Sequence, residues 1–337
     1  MKKLIAILLS AMLLALLFGC TGTNAPASSE SVPSSKAAPV AKKVKIAIVQ
    51  PMDHLSLNEI RDTIVAQLAA EGYDEAKAEI ILKNANGETS LLPSIFSSLV
   101  AEQVDILIPI ATPSAQAAAA ATTEIPIVFS AVSAPVEAGL VSSFDVTDKN
   151  ITGVSNAIPI DLIFALASEL TPDAKTFGFV YNSSEINSTT GIEKAKSYCD
   201  ANGLTYKEAS ITGTGDLQQA VASIVGDVDA FFTPNDNTVA SAMKTYAQLA
   251  TDAGKPIYCG ADSMVRDGGF ATVGIDYTVL GRQTADMVIS VLDGAKISET
   301  PVERIANYAK MVNVQNAAAL NIPLSDEVKA NFQLIGQ

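Results

Sequence analysis

The sequence IATPS at residues 110–114 is followed by IPIVFSA at residues 125–131, and the same arrangement recurs in the second half of the chain. There, FTPND occupies residues 232–236 and KPIYCGA occupies residues 255–261. Each copy reads as an apolar strand, a Thr-Pro pair that opens a helix, a second strand entered through Pro-Ile, and a turn of small residues. Two copies in the same order, one in each half, predict two lobes of one topology.

Apolar runs of strand length alternate with helical patterns from Val44 onward. Strands are predicted at residues 44–49, 79–83, 106–110, 125–129, 176–181, 205–209, 230–233, 257–259, 271–274 and 304–313. Helices are predicted at residues 56–71, 91–102, 114–122, 160–170, 189–202, 217–225, 237–253 and 280–293. This alternation predicts an α/β fold of two Rossmann-like lobes with parallel sheets joined by a hinge. Lobe 1 is expected to hold residues 44–154 and about 277–300, and lobe 2 residues 155–276 and about 301–337.

The first twenty residues resemble a bacterial lipoprotein signal. Two lysines precede an unbroken apolar run from Leu4 to Phe18, which stops at Gly19-Cys20. We expect residues 1–19 to be a signal peptide, Cys20 to be lipidated, and the Ser-, Ala- and Pro-rich residues 20–43 to be a flexible tether. The protein would then be anchored to the cell membrane on its extracytoplasmic side. An ordinary signal peptide or an uncleaved anchor is the alternative.

Composition excludes several classes of function. The formal charge of −14 becomes −16 when two lysines leave with residues 1–19, and so acidic a chain is a poor partner for nucleic acid. Cys199 and Cys259 are too few for a disulfide scaffold and are expected to be buried thiols, although a bond between them stays open. No glycine-rich phosphate loop is present, so neither ATPase activity nor any cofactor is predicted.

The presence of only one histidine and few arginines restricts the possible functions and ligands further. His54 alone cannot build a transition-metal site, so no metal is expected, and no Gly-x-Ser-x-Gly elbow accompanies it, which argues against a hydrolase. His54 is expected at the cleft rim or in an ordinary surface loop. Arginine occurs at only four positions, which disfavours doubly anionic ligands, and the absence of tryptophan disfavours sugars.

The loops that follow the strands are rich in hydroxyl, amide and carboxylate side chains. Ligands of open parallel sheets bind at the carboxyl ends of the strands, so these loops are the predicted site. Donors for a ligand carboxylate are expected at Thr112, Ser114, Ser130 and Ser133. Candidate partners for a ligand ammonium are Glu185, Asp236, Asp262 and Asp276, with Asp236 and Asp262 preferred. Further candidates are Asn182, Ser184, Asn187, Ser188, Asn237 and His54. For Asp236, Asn187 and Ser188, helix capping is an equally good interpretation.

Five segments resemble the substrate-binding lipoproteins of one ABC importer family, which includes binders of tryptophan, tyrosine and phenylalanine. They are ATPSAQ at residues 111–116, VFSAV at 128–132, YNSSEINS at 181–188, DNTVASA at 236–242 and GIDY at 274–277. The resemblance implies a type I periplasmic-binding-protein fold that closes over a small solute. It further implies a monomer that delivers this solute to an ABC permease and its ATPase subunit.

The residues themselves favour a small zwitterion, an amino acid above all, and the resemblance implies an aromatic one as a specific case. Three alternatives stay open at this point. They are a lipoprotein that senses a ligand and signals to a membrane receptor, a binder of a sugar or nucleoside-like solute, and a repressor-type regulator. The regulator would need a DNA-binding head where the lipoprotein signal stands.

Overall fold

The computed structural model describes residues 42–147 and 149–336. The predicted signal peptide, Cys20 and all of the predicted tether except its last two residues lie outside the described residues. The strands are β1 Val44–Gln50, β2 Ala78–Asn84, β3 Ile106–Pro109, β4 Ile127–Ser130, β5 Ile151–Ser155, β6 Thr176–Asn182, β7 Thr205–Ile211, β8 Ala230–Thr233, β9 Ile257–Cys259, β10 Ala271–Gly274, β11 Glu303–Arg304, β12 Ala309–Asn313 and β13 Gln333–Ile335. The helices are α1 Leu55–Ala70, α2 Leu92–Ala101, α3 Thr112–Ala121, α4 Ile160–Leu170, α5 Ile186–Asn202, α6 Leu217–Ile224, α7 Asn237–Ser241, α8 Met243–Asp252, α9 Asp262–Arg266, α10 Tyr277–Leu292, α11 Val314–Ala319 and α12 Asp326–Asn331.

These elements form two sheets of related topology. The first has the order β11-β5-β4-β3-β1-β2, and all its pairings are parallel. The second has the order β13-β12-β10-β9-β8-β6-β7 and is parallel except where β12 runs antiparallel to β10. We call the first sheet with α1, α2, α3 and α10 lobe 1, and the second sheet with the remaining helices lobe 2. The predicted α/β architecture of two parallel-dominated sheets is confirmed.

Each central strand is buried on both faces, as a parallel sheet covered by helices requires. In β1, Ile46 and Ile48 pack into the core that contains α1 and α10, whereas Ala47 and Val49 pack into the core that contains α2 and α3. This is why the strand is a nearly continuous apolar run rather than an alternating pattern.

The chain passes between the lobes three times. It leaves lobe 1 after β5, returns after β10, and leaves again after β11, whose Glu303 pairs with Val154 of β5. The single strand predicted at residues 304–313 is therefore wrong, because β11 and β12 belong to different sheets. The third passage lies after Arg304, a few residues beyond the position expected from the sequence.

β5 was not predicted as a strand, because its glycine reads as part of a connection. In the structure Gly153 is a close-packing residue of lobe 1: a Cβ at this position would meet the carbonyl oxygen of Phe129 at 2.2 Å and the Phe129 ring at 2.5 Å. Only glycine lets β4 and β5 lie side by side here.

Two helix boundaries also differ from the predictions. α5 begins at Ile186, so Asn187 and Ser188 lie in its first turn instead of capping a helix that starts at Thr189. The helix predicted at residues 237–253 is divided at Ala242, whose φ of −115° leaves the helical region. Among the described residues, no helix is long and apolar enough to cross a membrane.

Candidate functional site

Two cavities lie where the carboxyl ends of the strands of both lobes face each other. The larger, which we call the outer cleft, has a volume of about 700 Å³. It is lined by residues that follow β1, β2 and β3 of lobe 1 and β6, β7 and β8 of lobe 2: Pro51, Met52, Asp53, Asn86, Gly87, Glu88, Thr89, Thr112, Pro113, Gln116, Asn182, Ser184, Glu185, Ile186, Asn187, Thr212, Gly213, Thr214, Asn237, Thr238 and Ser241.

The smaller cavity, which we call the inner cavity, has a volume of only about 10 Å³. That is the space of roughly one water molecule. Its lining again comes from both lobes and from the passages between them: His54, Ser56, Leu57, Ala131, Ser133, Asn156, Asn187, Asn235, Asp236, Asn237, Ala240, Met264 and Tyr277. Asn187 and Asn237 line both cavities and therefore form the wall between them.

The predicted site residues divide among these places. The outer cleft receives Thr112, Asn182, Ser184, Glu185, Asn187 and Asn237. The inner cavity receives His54, Ser133, Asn187, Asp236 and Asn237. Neither cavity is lined by Ser114, Ser130, Ser188, Asp262 or Asp276.

Ser130 and Ser133 lie in nearby positions of the chain, but only one of them lines a cavity. The Ser130 hydroxyl is fully buried and lies 2.8 Å from the hydroxyl of Thr284 on α10, inside lobe 1. Ser133, three residues later, lines the inner cavity. The predicted role of Ser130 as a carboxylate donor is therefore not supported by its position.

Several buried polar atoms at the inner cavity have no hydrogen-bond partner within the described part of the chain. They are both ring nitrogens of His54, Oδ1 of Asn156 and Oδ1 of Asn187. Buried polar groups in native proteins are almost always satisfied, so such a cluster indicates a place where a ligand or water completes the bonding. The hydroxyls of Thr112 and Ser114 at the start of α3 are also buried without a hydrogen-bond partner in the described part of the chain.

His54 lies deeper than expected from the sequence. Although part of the residue is exposed, both ring nitrogens are buried. The pKa of His54 is lowered to about 4, because burial lowers it by more than the interaction with the Asn237 side chain raises it. The imidazole is therefore neutral at physiological pH, offering one N–H donor and one acceptor to the cavity.

Glu185 is committed to the protein itself. Its buried carboxylate accepts hydrogen bonds from the backbone N–H groups of Asn237 and Thr238, from the Asn237 amide at 2.5 Å, from the Thr238 hydroxyl at 2.8 Å, and from the Asn187 amide. These contacts leave the carboxylate little capacity for a ligand ammonium.

Asp236 is the N-cap of α7, one of the two roles foreseen for it. Oδ1 accepts from the Val239 N–H at 2.7 Å, and Oδ2 accepts from the Asn182 N–H at 2.6 Å. The pKa of Asp236 is raised to about 7, first by burial and then by the Glu185 charge, while these backbone donors oppose the rise. Asp236 also lines the inner cavity, so a cation in that cavity would favour its ionised form even though its oxygens are occupied.

The two remaining carboxylates also have protein partners. Asp262 accepts from Arg266 Nη1 at 2.7 Å and from the Ser263 N–H at 2.6 Å. Asp276 caps α10 through the N–H groups of Thr278 and Val279. Burial opposes the ionisation of Asp276, but these hydrogen bonds outweigh it and leave its pKa lowered.

Eight inner-cavity residues were missed from the sequence: Ser56, Leu57, Ala131, Asn156, Asn235, Ala240, Met264 and Tyr277. Asn156 follows β5, and recognising that strand would have placed it at a strand end. Tyr277 begins α10, and its hydroxyl accepts a hydrogen bond from Asn156 Nδ2 at 3.2 Å.

The charge and geometry of the lining limit its chemistry. No lysine or arginine lines either cavity, and the described residues contain no group of three or more His, Cys, Asp or Glu side chains that could hold a metal ion. Ala111, the residue before α3, has φ 70° and ψ 160°, a region that is essentially restricted to glycine. Backbone strain of this kind is concentrated at functional sites.

Comparison with known proteins places the chain among its relatives. The sequence profile described as ABC transporter substrate binding protein matches residues 45–333. A protein named tyrosine-binding protein from Clostridioides difficile (strain R20291) is 32% identical over 326 residues, which cover 95% of this chain and 93% of that protein.

Two solved structures extend the comparison. The ABC domain from Streptococcus pneumonia in complex with L-Trp is 35% identical, with a TM-score of 0.84 over 87% of this chain and 99% of that chain. The ligand-free, open structure of a Clostridium difficile substrate binding protein is 33% identical over the same shares, with a TM-score of 0.68. The fold is thus the type I periplasmic-binding-protein fold.

Proposed function

The chain belongs to the family of ABC transporter substrate binding proteins, and from this premise we propose that it captures a free amino acid, an aromatic one above all, between its lobes. As a member of this family it is a binding protein and not an enzyme. We further propose that it is a lipoprotein anchored through Cys20 outside the cytoplasmic membrane and that it delivers its ligand to a permease coupled to an ATPase subunit. The names of the relatives that bind tyrosine and tryptophan support this choice of ligand.

The unpartnered polar atoms of the inner cavity carry the proposal. Asn156 Oδ1 and Asn187 Oδ1 are acceptors, as oriented by the donor bonds that each amide nitrogen makes. Two amide oxygens with a negative charge behind them, at Asp236, suit an ammonium group. The N–H of His54 and the Ser133 hydroxyl are donors for the carboxylate of the same ligand.

This assignment replaces the direct contacts expected for Asp236 and Asp262. Asp236 contributes through its charge, since its oxygens accept from backbone N–H groups, and Asp262 is paired with Arg266. The apolar side chains of Leu57, Met264 and Ala240 complete the lining and suit an apolar ligand side chain.

Binding requires movement of the lobes. Small-molecule sites usually have volumes of about 300 Å³ or more, far above the inner cavity of about 10 Å³. An amino acid therefore enters when the lobes separate, and the lobes then close around it to an arrangement wider than the one described here, with polar atoms of both lobes on the ligand.

The test is to identify the solute directly. The purified protein is denatured, the released solute is identified by mass spectrometry, and calorimetry follows with a panel of amino acids on refolded protein. We expect tyrosine, tryptophan or phenylalanine to be released and to bind with micromolar or tighter affinity. Binding of a sugar or nucleoside, with no amino acid bound, would contradict the proposal.

A further inference from the structure

Helix α1 of lobe 1 and helix α9 of lobe 2 touch through two pairs of polar side chains. The hydroxyls of Ser56 and Ser263 lie 2.5 Å apart. Three residues further along each helix, Arg266 Nη2 donates to both carboxylate oxygens of Glu59 at 2.6 Å. Residues three apart share a helix face, so the matched spacing places both pairs in one contact between the lobes.

Arg266 is held in position by its own lobe. Its Nη1 donates to Asp262 at 2.7 Å, one helical turn earlier on α9. Asp262 and Arg266 lie on the same helix, so this partner stays beside Arg266 when the lobes separate. Separation therefore breaks the Glu59 contact without leaving the guanidinium unpaired, and the contact can form and break as the lobes move.

The surroundings make the arginine necessary for closure. Glu59 and Asp262, from opposite lobes, are both bonded to the same guanidinium. Burial raises the pKa of Glu59, Arg266 opposes this rise, and the charges of Asp262 and Asp276 add to it. Without Arg266, closure would bring acidic groups together with no cation between them.

We infer that Arg266 is an interlobe clasp, which bridges Glu59 and Asp262 and holds a measurable population of the ligand-free protein in the closed arrangement. The position of the contact supports this, because Ser56 and Met264 of the same two helices line the inner cavity. In the arrangement of the lobes described here, the clasp is formed.

The test measures the distance between the lobes without any ligand. Spin labels are placed at Lys83→Cys on β2 and Lys207→Cys on β7, both exposed, in a Cys20→Ser background in which Cys199 and Cys259 are buried. Electron–electron double resonance then gives the closed and open populations. Arg266→Gln and Glu59→Gln each remove the ion pair from one side.

We expect either substitution to lower the ratio of closed to open molecules by about tenfold, the effect of a change of roughly 1.4 kcal/mol. Arg61→Gln is the matched control, since this arginine lies on the same helix but pairs with Asp53 and Asp62 inside lobe 1. It should leave the ratio unchanged. Urea unfolding verifies that each variant is folded. If Arg266→Gln does not fold, the Glu59→Gln variant alone is used for the comparison.

Two results would overturn the inference. One is a ligand-free protein with no closed population, and the other is a distance distribution that both substitutions leave unchanged. Because no ligand is added, neither result depends on whether an amino acid is the solute, and failure of the proposed function is detected separately by calorimetry.

Discussion

The carboxylates of Glu185 and Asp236 cap the same short helix, α7, from two different segments of lobe 2. Oδ1 of Asp236 accepts from the N–H of Val239, and Oε1 of Glu185 accepts from the N–H of Thr238. Two buried carboxyl groups thus share one helix start beside the inner cavity. Their backbone donors offset part of the cost of burial and repulsion, and they fix the loop that carries Asn187 and Asn237.

The first prediction concerns the stability that Glu185 provides. Glu185→Ala should lower the free energy of unfolding by about 3 kcal/mol or more, because it leaves buried N–H groups and side chains without an acceptor. Urea denaturation followed by circular dichroism measures the change. Glu193→Gln, an exposed carboxylate on α5 paired with Lys196, is the control and should change stability by less than about 0.5 kcal/mol. Equal effects in the two variants would refute the capping role.

A second prediction concerns recognition of the ligand amino group. Asn156→Ala and Asn187→Ala should each weaken binding of the free amino acid by about 10- to 100-fold, the worth of a hydrogen bond to a charged group. The analogue that lacks the amino group should bind the original protein weakly, and neither substitution should change its affinity. Calorimetry with both ligands provides the comparison.

Gln116→Ala supplies the control for this prediction, because Gln116 lies in the outer cleft and donates to the carbonyl of Ala138. It should leave affinity within about twofold. A loss of affinity for the des-amino analogue equal to that for the amino acid would assign the two asparagines to another part of the ligand.

The third prediction is a pH dependence set by His54. Since its pKa falls from 6.5 in the unfolded chain to about 4 in the folded one, acid protonates the unfolded chain first. The stability linked to neutral His54 is complete above about pH 6.5 and is lost as the pH falls toward 4. His54→Phe keeps a ring but cannot titrate.

Between pH 7 and pH 4.5, the free energy of unfolding of the original protein should fall by about 2 kcal/mol more than that of His54→Phe. Urea denaturation of both at the two pH values measures this difference, and groups such as Asp236 and Glu59 cancel because they titrate in both proteins. Parallel pH profiles would mean that the imidazole is solvated in the folded state.

The fourth prediction uses the strained backbone before α3. Ala111→Gly should raise the free energy of unfolding by about 1 kcal/mol, because relief of strain of about 1–3 kcal/mol exceeds the entropic cost of glycine. Ala120→Gly, at an exposed position in the same helix, should lower it by about 1 kcal/mol. Opposite signs for the same substitution, measured by urea denaturation, are the expected result; a loss of stability in both would mean that Ala111 is not strained.

The sheet architecture could be predicted because parallel strands buried on both faces appear in the sequence as continuous apolar runs. The five residues from Ile46 to Gln50 are all buried, and the segment reads as an apolar run followed by a helix. β5 was not predicted because Gly153 interrupts such an apolar run. Gly153 is needed for close packing against Phe129, a residue distant in sequence. Strand β11 has only two residues, too few for any periodicity.

The candidate site could be predicted as a set of loops but not as a set of contacts. Position at a strand end brought His54, Ser133, Asn187 and Asp236 to one cavity, as parallel topology requires. Which side chain faces inward depends on backbone angles that composition does not encode, and Ser130 pairs with Thr284 for that reason. Two partners of Glu185, Asn237 and Thr238, lie more than fifty residues away and could be found only in the folded chain.

The return of α10 to lobe 1 determines the order in which the two lobes can fold during synthesis. Helix α10 covers α1 and contributes Leu280 and Val288 to the same core as Ile60 and Ile64. A growing polypeptide therefore cannot finish its first lobe until the ribosome has passed α10 and then β11, which ends at Arg304, by which time much of the second lobe has been synthesised. Assembly of the two halves is coupled in time, and an incomplete chain keeps apolar surface that chaperones can recognise.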